Sequence, residues 1–278
     1  MCYLYKCFCL RPYFFSIFTQ IKYPMSIKNY VPNALTLLNL FCGCIAVIFA
    51  THNHFIAAAA FVFGGVFFDF FDGFAARKLK VSSELGLQLD SLADMVTSGV
   101  VPGIVMFKLL GLSIGRSELA VDDGSWNAFF SGDAIMPSFL PVIGFFITLS
   151  SAYRLAKFNL DEEQQDYFKG LPTPANTLLI ISLPLIMELQ HNDIMNAIIM
   201  NQGFLIALTI TSSFLLNAPI ILFALKFKTW DFKPNAIRYI FLIISVLLLV
   251  FLQFAAIPLI ILVYVAMSML DIVIKGEY

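Results

Sequence analysis

Asp69, Asp72, Asp90 and Asp94 place four carboxylates within residues 69–94 of a chain that is otherwise largely apolar. At about 100° per residue, Asp72 lies about 60° from Asp69 on a helical wheel, and Gly65, Gly73 and Ala76 share that face. Gly86, Asp90 and Asp94 follow at strict four-residue spacing, which sets them on one stripe of a second helix. Two helices therefore offer two carboxylates each. A lone Asp at a helix end is ordinarily solvated by water and headgroups, but four converging ones repel one another, and each costs about 2.5–3.5 kcal/mol at the centre of a membrane helix and less toward its end. Something positive must sit among them. An all-oxygen set suits a hard divalent cation such as Mg²⁺ or Mn²⁺, which keeps waters and bridges the phosphates of a substrate. The small residues Gly73, Ala76 and Gly86 leave room for that substrate, and Arg77 can meet a phosphate or an anionic headgroup.

The elements that must position these residues follow from composition. Of the 278 residues 60% are hydrophobic and 13% charged, and the mean hydropathy is +0.86. This is an all-α, polytopic transmembrane helix bundle. Apolar windows predict about eight spans, over residues 35–50, 55–74, 92–112, 139–152, 177–187, 204–225, 236–252 and 257–272. Lys and Arg concentrate in alternate connections: Lys22 and Lys28; Arg77, Lys78 and Lys80; Arg154, Lys157 and Lys169; Lys226, Lys228 and Lys233; and Lys275. By the positive-inside rule, both termini and residues 69–94 are cytoplasmic. A net charge of -1 and basic residues scattered over short loops give no footprint for nucleic acid. No internal repeat or soluble domain interrupts the chain. Residues 25–278 read as one membrane domain, and residues 1–24, aromatic and Cys-rich, as an extension ahead of an alternative start at Met25. Cys2, Cys7, Cys9, Cys42 and Cys44 have no His at zinc-ligand spacing. His52, His54 and His191 fall in the expected outer loops, so no Ser/His/Asp set is evident.

The spacing Asp69-x2-Asp72-Gly73-x2-Ala76-Arg77-x8-Gly86-x3-Asp90-x3-Asp94 resembles, at all eight defined positions, the signature of the CDP-alcohol phosphatidyltransferases. The resemblance implies that family's fold and a pair of divalent metal ions, Mg²⁺ or Mn²⁺, held by Asp69, Asp72, Asp90 and Asp94 on the diphosphate of a CDP-linked lipid. It gives Asp94 a further role as the base for the attacking alcohol. Gly73, Ala76 and Arg77, with Ser83, would line the nucleotide and phosphate pocket beside Gly86. The first span opens on Pro32-Asn33-x-x-Thr36, similar to the opening of that family's first span; Asn33 and Thr36 are either helix caps or direct ligands.

Three later stretches bear on the alcohol. "SLADMVTSGVVPG" after Asp90, "YRLAKFNL" and "FKGLPTPAN" resemble segments of the membrane-embedded phosphatidylserine synthases within the family. With the Pro-Asn-x-x-Thr opening and "LKFKTWDFK", the similarity covers most of residues 25–233. It implies CDP-diacylglycerol and L-serine as substrates, a homodimer, and a bacterial cytoplasmic membrane. Lys157 stands where Arg is expected, which removes a bidentate partner but keeps the charge. A serine pocket needs a cation for the carboxylate and polar groups beside it, types that Arg154, Lys157 and Asn159 supply; the same cations also serve as membrane anchors. Within the class, glycerol 3-phosphate and inositol are the alternative acceptors. A cation-coupled transporter is the rival outside it, and would require polar positions continuing across the bilayer.

Overall fold

The computed structural model describes residues 27–81, 83–115, 139–160, 168–223 and 232–275. The expectation for residues 1–24, and those for the loops that carry Lys226 and Asp123, lie outside them.

Antiparallel helices α1 (Ile27–Thr51) and α2 (Phe55–Leu79) form the first hairpin. It turns on Asn53, which takes the left-handed conformation with φ 61°. The buried stripe of α1 runs through Pro32, Thr36, Asn39, Gly43, Ala46 and Ala50, so small side chains let α2 approach closely. α2 stops at Lys80, whose left-handed backbone returns its N–H to the carbonyls of Ala76 and Arg77. Ser83 then starts α3 (Glu84–Asp94) as its N-cap, its hydroxyl accepting from the Gly86 N–H at 3.0 Å.

α3 runs without a break through a π-helical turn (Met95–Val100) into α4 (Val101–Ser113). This rod is the most buried of the long apolar helices. Gly43 and Gly65 admit its π turn between α1 and α2. A Cβ at Gly65 would stand 2.8 Å from both Asn39 Oδ1 and Thr97 Cγ2, and one at Gly43 would stand 3.1 Å from the Thr97 amide nitrogen. A 3₁₀ turn (Leu140–Phe145) leads into α5 (Phe146–Leu160), which packs on the π turn.

A two-residue antiparallel ladder joins β1 (Phe168–Lys169) to β2 (Ile221–Leu222), pairing Phe168 with Leu222. Gly170 follows with φ 78°, and a Cβ there would lie 2.5 Å from the Leu216 carbonyl oxygen. The Gly-Leu-Pro-Thr-Pro stretch is therefore a backbone junction that launches α6 (Thr173–Leu189) into the centre of the bundle. α7 (Asp193–Ile199) and α8 (Gln202–Asn217) are each capped by an asparagine, Asn192 and Asn201, and meet at a bend of 63°. A final hairpin of α9 (Phe232–Leu252) and α10 (Ala256–Lys275) turns at Gln253. Tyr264 fastens it to the bundle by donating to the Phe223 carbonyl at 2.9 Å.

The core consists of Val101, Met106, Leu109, Ile147, Ile180 and Leu205, all essentially inaccessible. Large apolar side chains such as Phe67, Phe70, Leu149, Phe214 and Phe251 are exposed. A surface of that kind suits lipid, and the protein is an integral membrane protein.

The all-α bundle agrees with the sequence reading. Among the described residues four helical stretches are long and apolar enough to cross a membrane, the α9–α10 hairpin being taken as one of them, or five if the bent pair α7 and α8 is one crossing; α6, at 17 residues, is shorter. The expected count of eight spans is not confirmed by these lengths.

Candidate active site

The tight connection between α2 and α3 folds the end of one helix back along the start of the next. Asp69, Asp72 and Asp90 thereby come together, each offering an oxygen within 4.8 Å of the others. Asp72 is buried and accepts from the Thr36 hydroxyl of α1 at 2.5 Å. Carboxylates this close repel one another unless a proton or a cation lies among them. Asp94 sits one turn deeper along α3, outside the trio, where Asn39 Nδ2 donates to its Oδ1 at 3.2 Å.

The donor set fits a divalent cation on two observations. Three carboxylates converge, and Asp90 Oδ1 is buried with no hydrogen-bond partner. A buried carboxylate oxygen is stable when a positive ligand completes it. Asp69, Asp72 and Asp90 could hold such an ion directly, with Asp94 adjoining.

A cleft of about 190 Å³ opens beside the trio, and Asp72 and Asp90 form part of its wall. Asn33 and Thr36 of α1, Gly73 and Ala76 of α2, and Ser83 and Gly86 at the start of α3 line the rest of its polar side. The structure thus gathers six of the seven residues expected at the nucleotide into one cavity. Arg77, the seventh, is exposed, with its guanidinium about 3.6 Å from where a Cβ on Gly73 would lie. Gly86 keeps the mouth open: a Cβ there would come to 3.1 Å from Ser83 Oγ and 3.3 Å from Asn33 Oδ1. Ser83, expected at the pocket, borders the cleft and also caps α3, whereas Asn33 and Thr36 lie inside α1 and do not cap its start.

The three residues expected at the acceptor are placed differently. Arg154 is buried, within electrostatic range of Asp94. Lys157, one turn further along α5, is exposed. Asn159 is tied to Ser91, its Oδ1 accepting at 3.1 Å and its Nδ2 donating at 2.9 Å, which fastens α5 to α3 next to Asp90.

Asn39 is a site residue that the sequence reading does not name. Its signal is the spacing Thr36-x2-Asn39-x3-Gly43, a polar and small stripe on one face of an otherwise apolar helix. Ser91 was likewise passed over, lying beside Asp90 on the flank of the motif.

Carboxylates suited to a hard cation, a cleft beside them lined by polar and small side chains, and a further carboxylate next to them are the parts of a membrane-embedded transferase of phosphate-linked groups. A family model described as CDP-alcohol phosphatidyltransferase matches residues 29–215. The chain belongs to that family. It is 32% identical over 174 residues to the CDP-diacylglycerol–serine O-phosphatidyltransferase of Bacillus subtilis, covering 61% of this chain and 81% of that one. The protein of the same name from Helicobacter pylori is 29% identical over 162 residues, 58% of this chain and 59% of the relative. That of Saccharomyces cerevisiae is 29% identical over 184 residues, 60% and 58% of the respective chains. The chain thus spans little more than half the length of the latter two relatives.

Proposed function

We propose that this protein transfers the phosphatidyl group of CDP-diacylglycerol to L-serine, giving phosphatidylserine and CMP in phospholipid biosynthesis. The observation that carries the reading is the junction of one small cleft, lined by the signature residues, with three clustered carboxylates and a fourth held just outside them. The names of the relatives from three organisms support serine as the acceptor.

In this reading Asn33, Thr36, Gly73, Ala76, Ser83 and Gly86 hold the nucleotide and its diphosphate, with Arg77 on the phosphate side. Asp69, Asp72, Asp90 and Asp94 would hold divalent metal, Mg²⁺ or Mn²⁺, as a pair of ions, which would supply neutralising charge for the phosphoryl oxygens and the CMP leaving group. The serine hydroxyl attacks the phosphorus that carries diacylglycerol. A new P–O bond forms, the P–O bond to CMP breaks, and Asp94 accepts the hydroxyl proton. Arg154 receives the serine carboxylate, with Lys157 and Asn159 on the approach. The alternating basic loops support a cytoplasmic site and cytoplasmic termini in a bacterial cytoplasmic membrane, and the family resemblance supports a homodimer.

Supplying purified protein with CDP-diacylglycerol and labelled serine, inositol or glycerol 3-phosphate tests the acceptor. Label should reach lipid from serine alone; lipid labelled from either of the others reassigns it. A cysteine introduced near Lys78 should react with an impermeant reagent only from the cytoplasmic side, and reaction from outside overturns the topology.

A further inference from the structure

Beyond Asp94 the bundle holds polar atoms that nothing among the described residues satisfies. Ser98 Oγ, Ser151 Oγ, Arg154 Nε and both amide atoms of Asn176 are buried without a hydrogen-bond partner there. Their residues are 1%, 0%, 8% and 0% exposed respectively. Leaving such groups unpaired is costly, so a set of them marks a place where a polar guest is expected.

They come from three elements that pack on one another: Ser98 from the π turn, Ser151 and Arg154 from α5, and Asn176 from α6. Several contacts tie them to the same neighbourhood. Ser98 lies four residues after Asp94 along the rod, and Arg154 is within electrostatic range of Asp94. Thr177, next to Asn176, donates to the Ser98 carbonyl at 2.8 Å. A Cβ on Gly99 would lie 3.3 Å from the Ser151 Cβ. Ser151 and Arg154 are one turn apart on the buried side of α5.

We infer that Ser98, Ser151 and Asn176, together with Arg154, form the acceptor site and read the zwitterion of a small hydroxy amino acid; this rests on the reading of the protein as a phosphatidyl transferase. The inventory of donors and acceptors matches that ligand. Arg154 and the Asn176 amide nitrogen donate to the carboxylate. The Asn176 amide oxygen and the two serine hydroxyls accept from the ammonium. A neutral polyol offers no charge for Arg154 to meet, and a phosphorylated one brings no ammonium for the three oxygens. Occupied in this way, the site holds the acceptor near Asp94, the group read as the base.

The test compares Ser151→Ala and Asn176→Leu with the wild type, measuring KM for serine, KM for CDP-diacylglycerol, and transfer to ethanolamine, which lacks the carboxylate, and to 3-hydroxypropionate, which lacks the amine. Each substitution should raise the serine KM by roughly tenfold or more while the CDP-diacylglycerol KM stays within about twofold. Asn176→Leu should also shrink the preference for serine over ethanolamine, which a purely structural role would leave unchanged. A serine KM within about twofold of wild type in Ser151→Ala means that the buried atoms bind only water and overturns the assignment. That comparison decides the matter by itself if Asn176→Leu fails to retain CDP-diacylglycerol binding. Should the wild type transfer to inositol or glycerol 3-phosphate and not to serine, the acceptor reading under Proposed function falls, and this assignment with it; failure in the variants alone leaves that reading standing.

Discussion

The Thr177 hydroxyl of α6 reaches across to the Ser98 carbonyl in the π turn. In that turn the Val101 N–H bonds the Val96 carbonyl five residues back, and Pro102 next to it has no N–H to give. The Thr177 hydroxyl donates to the Ser98 carbonyl at 2.8 Å, shared with the Thr173 carbonyl at 2.9 Å. Thr148 likewise donates to the Gly99 carbonyl at 2.9 Å, and Thr97 to that of Asn39 at 3.2 Å. Three threonines from three elements therefore hold the π turn that sets Asp94 against α1. π turns inside α-helices often mark functional sites, and this one begins at the residue after Asp94.

Thr177→Val keeps the shape but removes the hydrogen bond from α6 to the Ser98 carbonyl. We expect it to destabilise the protein by about 1–3 kcal/mol, read as a lower midpoint in a detergent unfolding curve. Thr177→Ser should recover most of the loss. An unchanged midpoint for the valine variant would show that the π turn does not depend on this bond.

Gly86 tests the nucleotide cleft. A valine side chain there must press on Ser83 Oγ and Asn33 Oδ1, at the mouth of a cavity of about 190 Å³. Gly86→Val should raise the CDP-diacylglycerol KM by roughly tenfold or more, with the metal requirement unchanged. If the KM for the lipid nucleotide stays at the wild-type value, the nucleotide binds elsewhere.

Thr36 tests the support behind the metal ligands. Its hydroxyl meets the buried Asp72 carboxylate at 2.5 Å and fixes the orientation in which that group faces Asp69 and Asp90. Loss of such an outer partner typically costs about 10- to 100-fold in metal affinity or activity. Thr36→Val should therefore shift the Mg²⁺ or Mn²⁺ concentration for half activity upward by about that factor, with excess metal restoring turnover. Excess chelator should abolish turnover in the wild type. Full activity under chelator would remove metal from the mechanism altogether.

How much of this was legible in the sequence depended on whether a feature keeps the helical period. Asp69, Asp72, Gly73, Ala76, Gly86 and Asp90 keep it, so their shared faces followed from spacing, and the structure closes all but Asp69 around one cleft, with Asp69 beside Asp72 and Asp90. Residues 95–100 change the period, and nothing in a 3.6-residue pattern signals a π turn apart from Pro102, which reads equally well as a helix start. Asn39 is a single amide in an apolar run until α2 and α3 pack against it and give it Asp94 as a partner. Arg154 and Lys157 looked alike as cations three residues apart, yet only Arg154 is buried. The buried polar atoms of Ser98, Ser151 and Asn176 come from separate segments, so only tertiary packing could bring them together. Hydropathy measures apolar length and is blind to the 63° bend between α7 and α8, so that bend was not legible either.

The position of Asp94 outside the trio allows base and ligand roles to be separated. Asp69, Asp72 and Asp90 share one small volume, whereas Asp94 is held apart by Asn39 at 3.2 Å and lies toward Arg154. Asp94→Asn retains the size and one oxygen but cannot accept the proton of the alcohol. Transfer should fall by roughly 100-fold or more, the usual cost of losing a general base, while CDP-diacylglycerol binding in the presence of metal weakens much less. Asp69→Asn and Asp72→Asn remove charge from within the cluster, so metal and lipid-nucleotide binding should decline together. Affinity and transfer should be measured on the same preparations, with thermal unfolding as the check on folding. Near-normal transfer by Asp94→Asn at saturating substrates would assign the proton to a water or to another carboxylate, and parallel losses of binding in all three variants would make Asp94 a ligand like the rest.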